Sequence, residues 1–318
     1  MRGVFLDAMT MKLGELDTQA LINSLDHWDF YETTSAAQTA ERIAGADVVI
    51  TNKVVLNRAH MERAGSLKLI CVCATGTNNI DLEAARNLNI SVRNVQGYAG
   101  ASVPQHTLAL ILALASRWHQ YHQDVMAGRW SQSEIFCLLD YPVVELAGKT
   151  LGIIGYGALG QRVAKLGEAL DMRVLVAESL RGIKREDRKC EGRVPLAQLK
   201  TESDVISLHC PLSPQTEKFI NRAFLDAMKP GALLVNTARG GLVDEEAVAD
   251  ALRNGKLGGA ALDVLSEEPP PASHPLLSRD IPNLIITPHN AWISRESRQR
   301  LLNGVANNIK NWKRELRV

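Results

Sequence analysis

The chain of 318 residues carries 36 lysines and arginines against 35 aspartates and glutamates, a balance that gives no electrostatic reason to bind nucleic acid or an acidic membrane surface. Its length exceeds that of one ordinary domain, so two domains with separate cores are expected. The longest apolar run, Leu108 to Ala115, falls far short of a membrane span, and Met1-Arg2 leads into the strand-like Val4-Phe5-Leu6 without a signal-peptide pattern, so no membrane partner and a cytoplasmic setting are expected.

In chain order, apolar runs at Val4 to Leu6, Asp47 to Thr51, Leu67 to Cys73 and Ile90 to Val95 alternate with helical stretches such as 36 to 44 and 81 to 88. This alternation predicts a first doubly wound parallel sheet in an α/β fold. A helix then opens at Ser102, with Pro104 in its first turn, and runs to about Ala127, closed by Gly128. Leu108, Leu110, Ile111, Leu112 and Leu114 occupy nearly every face of it, which predicts burial on all sides, between domains or between subunits. A second series of strands, at 151 to 154, 173 to 176, 204 to 208, 232 to 236, 259 to 262 and 284 to 286, fits a Rossmann sheet of six parallel strands. The last amphipathic helix, roughly 295 to 315, has no strand to accompany it and is expected to return to the first domain. Five cysteines, among them Cys71-Val72-Cys73, lack zinc or redox spacing and read as reduced, mostly buried thiols. The eight histidines lack metal-ligand spacing, and no metal is expected.

Residues 151 to 178 read as a complete dinucleotide-binding unit. After the strand Leu151 to Ile154, the loop Gly155-Tyr156-Gly157-Ala158-Leu159-Gly160 would use its first glycine for a tight turn, its second for close approach to a pyrophosphate and its third for helix–sheet packing. The pyrophosphate would sit on the N-terminus of helix 160 to 170. Glu178, at the end of the next strand, would accept hydrogen bonds from the adenosine ribose and repel a 2′-phosphate, which favours NAD (NADH) over NADP. Arg181, Lys184 and Arg185 are the cations that could reverse that preference.

Open α/β sheets place ligands at the carboxyl ends of their strands. There Arg239 follows strand 232 to 236, Glu268 follows strand 259 to 262, and His289 follows strand 284 to 286. An arginine, a carboxylate and a histidine after three different strands compose a candidate hydride-transfer site. His209 reads as a strand-end histidine on the adenine side, and His106 as a helix histidine.

In Ala74 to Asp81, Leu151 to Gly160, Asp204 to Pro211, Met228 to Asp244, Gly259 to Val264 and Thr287-Pro288-His289, the chain resembles the D-isomer-specific 2-hydroxyacid dehydrogenases over essentially its full length. Ala74 to Asp81, Phe136-Cys137 to Tyr141-Pro142, Ala177-Glu178 and His289-Asn290-Ala291-Trp292 resemble the glycerate dehydrogenase, or hydroxypyruvate reductase, branch. The resemblance implies a Rossmann NAD-binding domain, 99–287, inserted into a flavodoxin-like substrate domain, 1–98 and 288–318. It implies NADH-dependent reduction of a small 2-oxo acid, hydroxypyruvate first and glyoxylate second, to the D-2-hydroxy acid.

By the same resemblance, Arg239 would bind the substrate carboxylate, His289 would deliver and remove the proton, and Glu268 would orient the imidazole and favour its acid form. Backbone N–H groups around Thr75, Gly76 and Thr77, from the other domain, would complete the carboxylate pocket; apart from the resemblance, Trp292 and Phe136 are the candidates to bound the end that receives the substrate side chain. Gly155, Gly157, Ala158, Leu159 and Gly160 would hold the pyrophosphate turn, Glu178 the ribose, and Cys210 and Pro211 the adenine side. Thr216, Thr237 and Ala238 would lie below the nicotinamide, Arg239 and His289 beside it, and Asp263 at its carboxamide. The aromatic stretch 129 to 142, with Trp130, Phe136 and Tyr141, would help build a homodimer.

The chain departs from the family pattern at Glu178, where Asp is more frequent, and at Gln105, where many relatives carry Glu. Two alternatives stay open. One is another D-2-hydroxyacid dehydrogenase, such as a phosphoglycerate dehydrogenase, although an end at Val318 leaves no room for a regulatory domain. The other is an NAD-sensing, corepressor-like binding protein.

Overall fold

The computed structural model describes residues 1–180 and 192–316, which fall into two compact units, Met1–Ala101 with Trp292–Val318 and Ser102–Ala291. In the first unit, β1 (Arg2–Phe5), β2 (His27–Phe30), β3 (Val48–Thr51), β4 (Leu69–Val72) and β5 (Ser91–Asn94) make a parallel sheet in the order β2-β1-β3-β4-β5. Successive side chains of a strand face opposite sides. Val4, Val49 and Ile70 therefore join one core, with Ile43 of α2 (Ala36–Ile43), Met61 of α3 (Arg58–Ala64) and Ala84 of α4 (Leu82–Asn87). Phe5, Ile50 and Cys71 join the other, with Leu21 of α1 (Gln19–Ile22). Strand β2 is missing from the sequence-based expectation. His27-Trp28-Asp29-Phe30 is a partly exposed edge strand, which needs no apolar alternation to pair with β1.

The second unit holds β6 (Thr150–Ile154), β7 (Arg173–Ala177), β8 (Arg193–Val194), β9 (Val205–Leu208), β10 (Ala232–Asn236), β11 (Leu257–Leu262) and β12 (Leu284–Ile286). Their order, β12-β11-β10-β9-β6-β7-β8, is parallel throughout and reverses direction between β6 and β9, the switch point at which Rossmann sheets bind dinucleotides. The six expected strands are joined by β8, whose two residues are too few for periodicity to show.

The helix expected to run unbroken from Ser102 to about Ala127 is two helices, α5 (Ser102–Ser116) and α6 (Trp118–Met126). Arg117 breaks it with φ of 56°, and its guanidinium donates to the Gly258 carbonyl at 2.8 Å. That bond to a residue 141 positions away is a tertiary cause no local pattern announces. Within the single chain Leu112 stays 40% exposed, so burial on that face would be left to a partner subunit. The unit is completed by α7 (Ala158–Glu168), α8 (Leu196–Glu202), α9 (Arg222–Asp226) and α10 (Glu245–Arg253).

The chain then re-enters the first unit as α11 (Arg295–Glu315), capped by the Ser294 side chain on the Ser297 N–H. Its buried stripe of Leu301, Leu302, Val305, Ile309 and Trp312, at helical spacing, packs on the Phe5 and Cys71 side of the first sheet.

Candidate active site

Three turns at the carboxyl edge of the second sheet carry the chemically useful side chains. The first follows β10. Fully buried Asn236 shapes it by donating from Nδ2 to the Arg239 carbonyl at 2.8 Å and accepting from the Ala238 N–H at 3.0 Å. Arg239 is thereby turned outward, exposed, with its guanidinium on the Ala238 carbonyl at 2.6 Å. Gly240 comes next and touches the second turn directly. A Cβ there would lie 1.9 Å from the Leu265 carbonyl carbon, so the Arg239 turn and the turn after β11 meet backbone to backbone.

The second turn begins with Asp263, 1% exposed at the end of β11. Its carboxylate accepts from the Thr287 hydroxyl at 2.6 Å and from the N–H groups of Asn290 and Ala291 at 2.9 and 3.0 Å, with His106 Nε2 at 3.4 Å. Burial pushes this carboxyl up, but His106, Thr287 and the two backbone donors together outweigh burial and hold it below its ordinary range. Asp263 thus anchors the third turn, in which His289 takes the left-handed conformation, φ 51°, with its N–H on the Asp263 and Thr287 carbonyls.

Glu268 bridges the second and third turns. Its Oε1 accepts the Leu265 N–H at 3.0 Å, and its Oε2 lies 2.6 Å from Nδ1 of His289. A carboxylate only accepts, so the proton of this bond sits on Nδ1 and Nε2 is left to exchange a proton with a ligand. Both side chains keep about 30% of their surface open, at 27% for His289 and 32% for Glu268. An imidazole held by an acid and reachable from outside can protonate a carbonyl oxygen, and an outward-facing guanidinium at the same sheet edge can pair with a carboxylate.

The glycine loop meets the requirements of a pyrophosphate. Gly155 has φ of 98°, and a Cβ would strike the His209–Cys210 backbone at 2.4 Å; at Gly160 a Cβ would lie 2.1 Å from the Gly155 carbonyl oxygen. At Gly157 nothing lies within 4 Å of that position, so a ligand has room to approach. No side chain caps Gly157 at the start of α7, which leaves the N–H groups of Ala158, Leu159 and Gly160 for an anion. Glu178 follows β7, half-buried, with its N–H on the Val194 carbonyl at 2.9 Å. Arg181, Lys184, Arg185 and Cys190 lie outside the described residues.

Other expected contacts are engaged within the protein. Thr216 is buried and closes its own loop, donating to the Pro211 carbonyl at 2.9 Å and accepting from the Ser213 N–H at 2.8 Å. Thr237 is buried with its hydroxyl 2.9 Å from that of Thr107, and Ala238 is half-buried beside it. Burial pushes the Cys210 thiol up to about 11 and the His209 imidazole down to about 4, so both are neutral near pH 7.

Thr75, Gly76, Thr77 and Trp292 stand in the first unit. Thr75 to Thr77 follow β4, and among the described residues their backbone N–H groups donate to no other residue. Trp292 is half-buried against the first unit's core, with its ring edge-on to Tyr98 at 6.1 Å. Asn236, Gly240 and Thr287 fall in segments that the sequence singles out, but without roles of their own, and His106 is expected to take no part in the site. Their roles come from contacts 2 to 181 residues away, and only the run Asn236 to Gly241 offered a local sign. Among the described residues, no cluster of histidine, cysteine, aspartate and glutamate is arranged for a metal ion, and no helix is long and apolar enough to cross a membrane.

A Rossmann sheet with an uncapped glycine turn, and a histidine–carboxylate pair at the same sheet edge, define an oxidoreductase that uses a nicotinamide dinucleotide. The chain belongs to the D-isomer-specific 2-hydroxyacid dehydrogenase family, whose NAD binding domain matches residues 108–291. It is similar to the glycerate dehydrogenase of Methylorubrum extorquens, with 42% identity over 308 residues that cover 95% of this chain and 96% of that protein. It is also similar to the hydroxypyruvate reductase of Blautia hydrogenotrophica, with 39% identity over 315 residues, 98% of this chain and 97% of that one. Among solved structures, the D-lactate dehydrogenase from Aquifex aeolicus complexed with NAD and lactic acid matches with a TM-score of 0.80 and 31% identity, covering 98% of this chain and 96% of that chain.

Proposed function

We propose that the protein reduces hydroxypyruvate to D-glycerate with NADH, accepts glyoxylate as a second substrate, and works as a cytoplasmic homodimer. The observation that carries the reading is the 2.6 Å contact between Glu268 and His289 at the sheet edge that also carries the outward-facing Arg239. The glycerate and hydroxypyruvate assignments of two relatives near 40% identity support the choice of substrate.

A nicotinamide dinucleotide bound at the glycine turn supplies the hydride. Arg239 leaves the Ala238 carbonyl and pairs two N–H donors with the substrate carboxylate, which fixes the neighbouring carbonyl in place. His289 gives the proton on Nε2 to the carbonyl oxygen and retains the one on Nδ1 for Glu268. The carboxylate of Glu268 stabilises the imidazolium before transfer and holds the ring so that the same nitrogen recovers a proton afterwards. Glu178, with its negative charge after β7, supports NAD over NADP.

Exposed apolar side chains support the dimer. Met126, Trp130, Phe136 and Leu139 are between 52% and 90% exposed and Leu112 is 40% exposed, and a dimer interface would take such apolar side chains out of water. Replacing Phe136 and Leu139 with Asp is expected to convert a dimer into a monomer in analytical ultracentrifugation. Four described cysteines are free thiols, which accords with a reducing compartment.

The deciding experiment follows NADH and NADPH oxidation by the purified protein with hydroxypyruvate, glyoxylate, pyruvate, 2-oxobutyrate and 3-phosphohydroxypyruvate. Highest kcat/KM with hydroxypyruvate and NADH is expected. A strong preference for 3-phosphohydroxypyruvate, or turnover of none of the five, would overturn the assignment.

A further inference from the structure

Glu268 lies in a loop that is held at both ends by one carboxylate outside the proposed chemistry. Glu245 is the first residue of α10, a helix fixed by the buried side chains of Ala247, Val248, Ala251 and Leu252. The Asp244 side chain already caps that helix on the Ala247 N–H, so the Glu245 carboxylate is not needed there. It turns to the loop instead. Oε1 accepts the Ser266 N–H at 2.8 Å, and Oε2 accepts the Ser266 hydroxyl at 2.5 Å and lies 3.2 Å from Nε2 of His274. Nδ1 of His274 accepts the Leu276 N–H at 3.3 Å, so the ring proton is on Nε2 and points at Glu245.

The Glu245 and His274 side chains are only 11% and 7% exposed, and a carboxylate so far out of water is tolerated because its oxygens are bonded. Between Ser266 and His274 run Glu267, Glu268, three prolines, Ala272 and Ser273. Prolines fix φ, so a segment rich in them and pinned at both ends has little freedom. Gly240 closes on the same segment at Leu265 and Ser266.

We infer that Glu245 and His274 are positioning residues that clamp the loop from Ser266 to His274 and thereby hold Glu268 against His289. The inference rests on the reading of Glu268 as the group that orients the His289 acid. The Glu245 and His274 side chains bond to Ser266, Leu276 and each other, so each acts through Glu268.

Steady-state kinetics of the full chain with hydroxypyruvate and NADH test it, in a double-mutant cycle of His274→Phe and Glu268→Gln. His274→Phe is expected to lower kcat about tenfold through misplacement of Glu268, while KM for NADH changes by less than about twofold. His274→Gln, which keeps an N–H donor, restores most of the loss. With Glu268→Gln already present, His274→Phe has little further effect, because residues acting as one unit are not additive. Ser266→Ala, a smaller change that keeps the protein folded if His274→Phe does not, loses about threefold in kcat and likewise has no effect beside Glu268→Gln.

Equal fold losses in both backgrounds, or a lowered melting temperature with unchanged kcat per folded molecule, overturn the clamp. Near-normal reduction by His289→Gln would instead sink the acid–base reading itself, so the two failures are distinguishable.

Discussion

His289 Nδ1 lies 2.6 Å from Glu268 Oε2 although 21 residues separate them and His289 stands in the left-handed backbone region. The pairing aims the imidazole and commits one of its nitrogens, so the remaining nitrogen is the only ring atom able to exchange a proton with a substrate. If that exchange is the protein's chemistry, His289→Gln lowers kcat by roughly 10² to 10⁴-fold. NADH binding, followed by fluorescence titration, stays close to that of the parent. A variant that reduces hydroxypyruvate at near-parental rates would exclude His289 as the acid.

Gly240→Ala drives a methyl group into the Leu265 backbone, which cannot yield as a flexible side-chain tip would. The Arg239 and Glu268 turns must separate. A loss of about 1–3 kcal/mol in urea unfolding is expected, the ordinary range for overpacking, together with a fall in kcat. Parental stability and kinetics would show that the contact between the turns is relaxed at no cost.

Asp263 gives the stability a defined acid limb. Its carboxyl is held below the ordinary value of 3.8, since the bonds from His106, Thr287, Ala291 and Asn290 exceed the opposing effect of burial. A carboxylate depressed in the folded state stabilises the fold above its unfolded pKa, and this contribution is lost as pH falls through the lower folded value. Asp263→Asn is therefore expected to lower the urea midpoint at pH 7 and to approach the parent as the pH drops below 3.8. A deficit of the same size in acid would contradict that account.

Glu178→Ser removes the negative charge proposed to repel a 2′-phosphate. The ratio of kcat/KM for NADH to that for NADPH should fall by on the order of tenfold, about 1.4 kcal/mol. An unchanged ratio would move cofactor discrimination to other residues.

How much of the molecule is legible in the sequence depends on how local its causes are. Gly155, Gly157 and Gly160 declare themselves because each answers a requirement of one turn, and β3 and β4 because central parallel strands are apolar throughout. Strand β2 and the two-residue β8 lie at sheet edges, where half-exposed side chains obey no period. The break at Arg117 is set by a carbonyl on β11, and the bond from His106 to Thr287 crosses 181 residues. Arg239, Glu268 and His289 stand out through their places after successive strands. The residues that fix their turns, Asn236, Gly240 and Asp263, act through buried contacts that only the folded chain displays.

The insertion of one unit within the other also sets an order of events during synthesis. Residues 102–291 are contiguous and can bury their cores as soon as they emerge, but the Phe5 and Cys71 side of the first sheet is covered by Leu301, Val305 and Ile309 of α11. Nearly two hundred residues must be translated between the sheet and its cover. Until α11 arrives that apolar face has no cover, and transiently exposed surface of this kind is where a folding chain is most prone to aggregate, so completion of the first unit waits on the last helix.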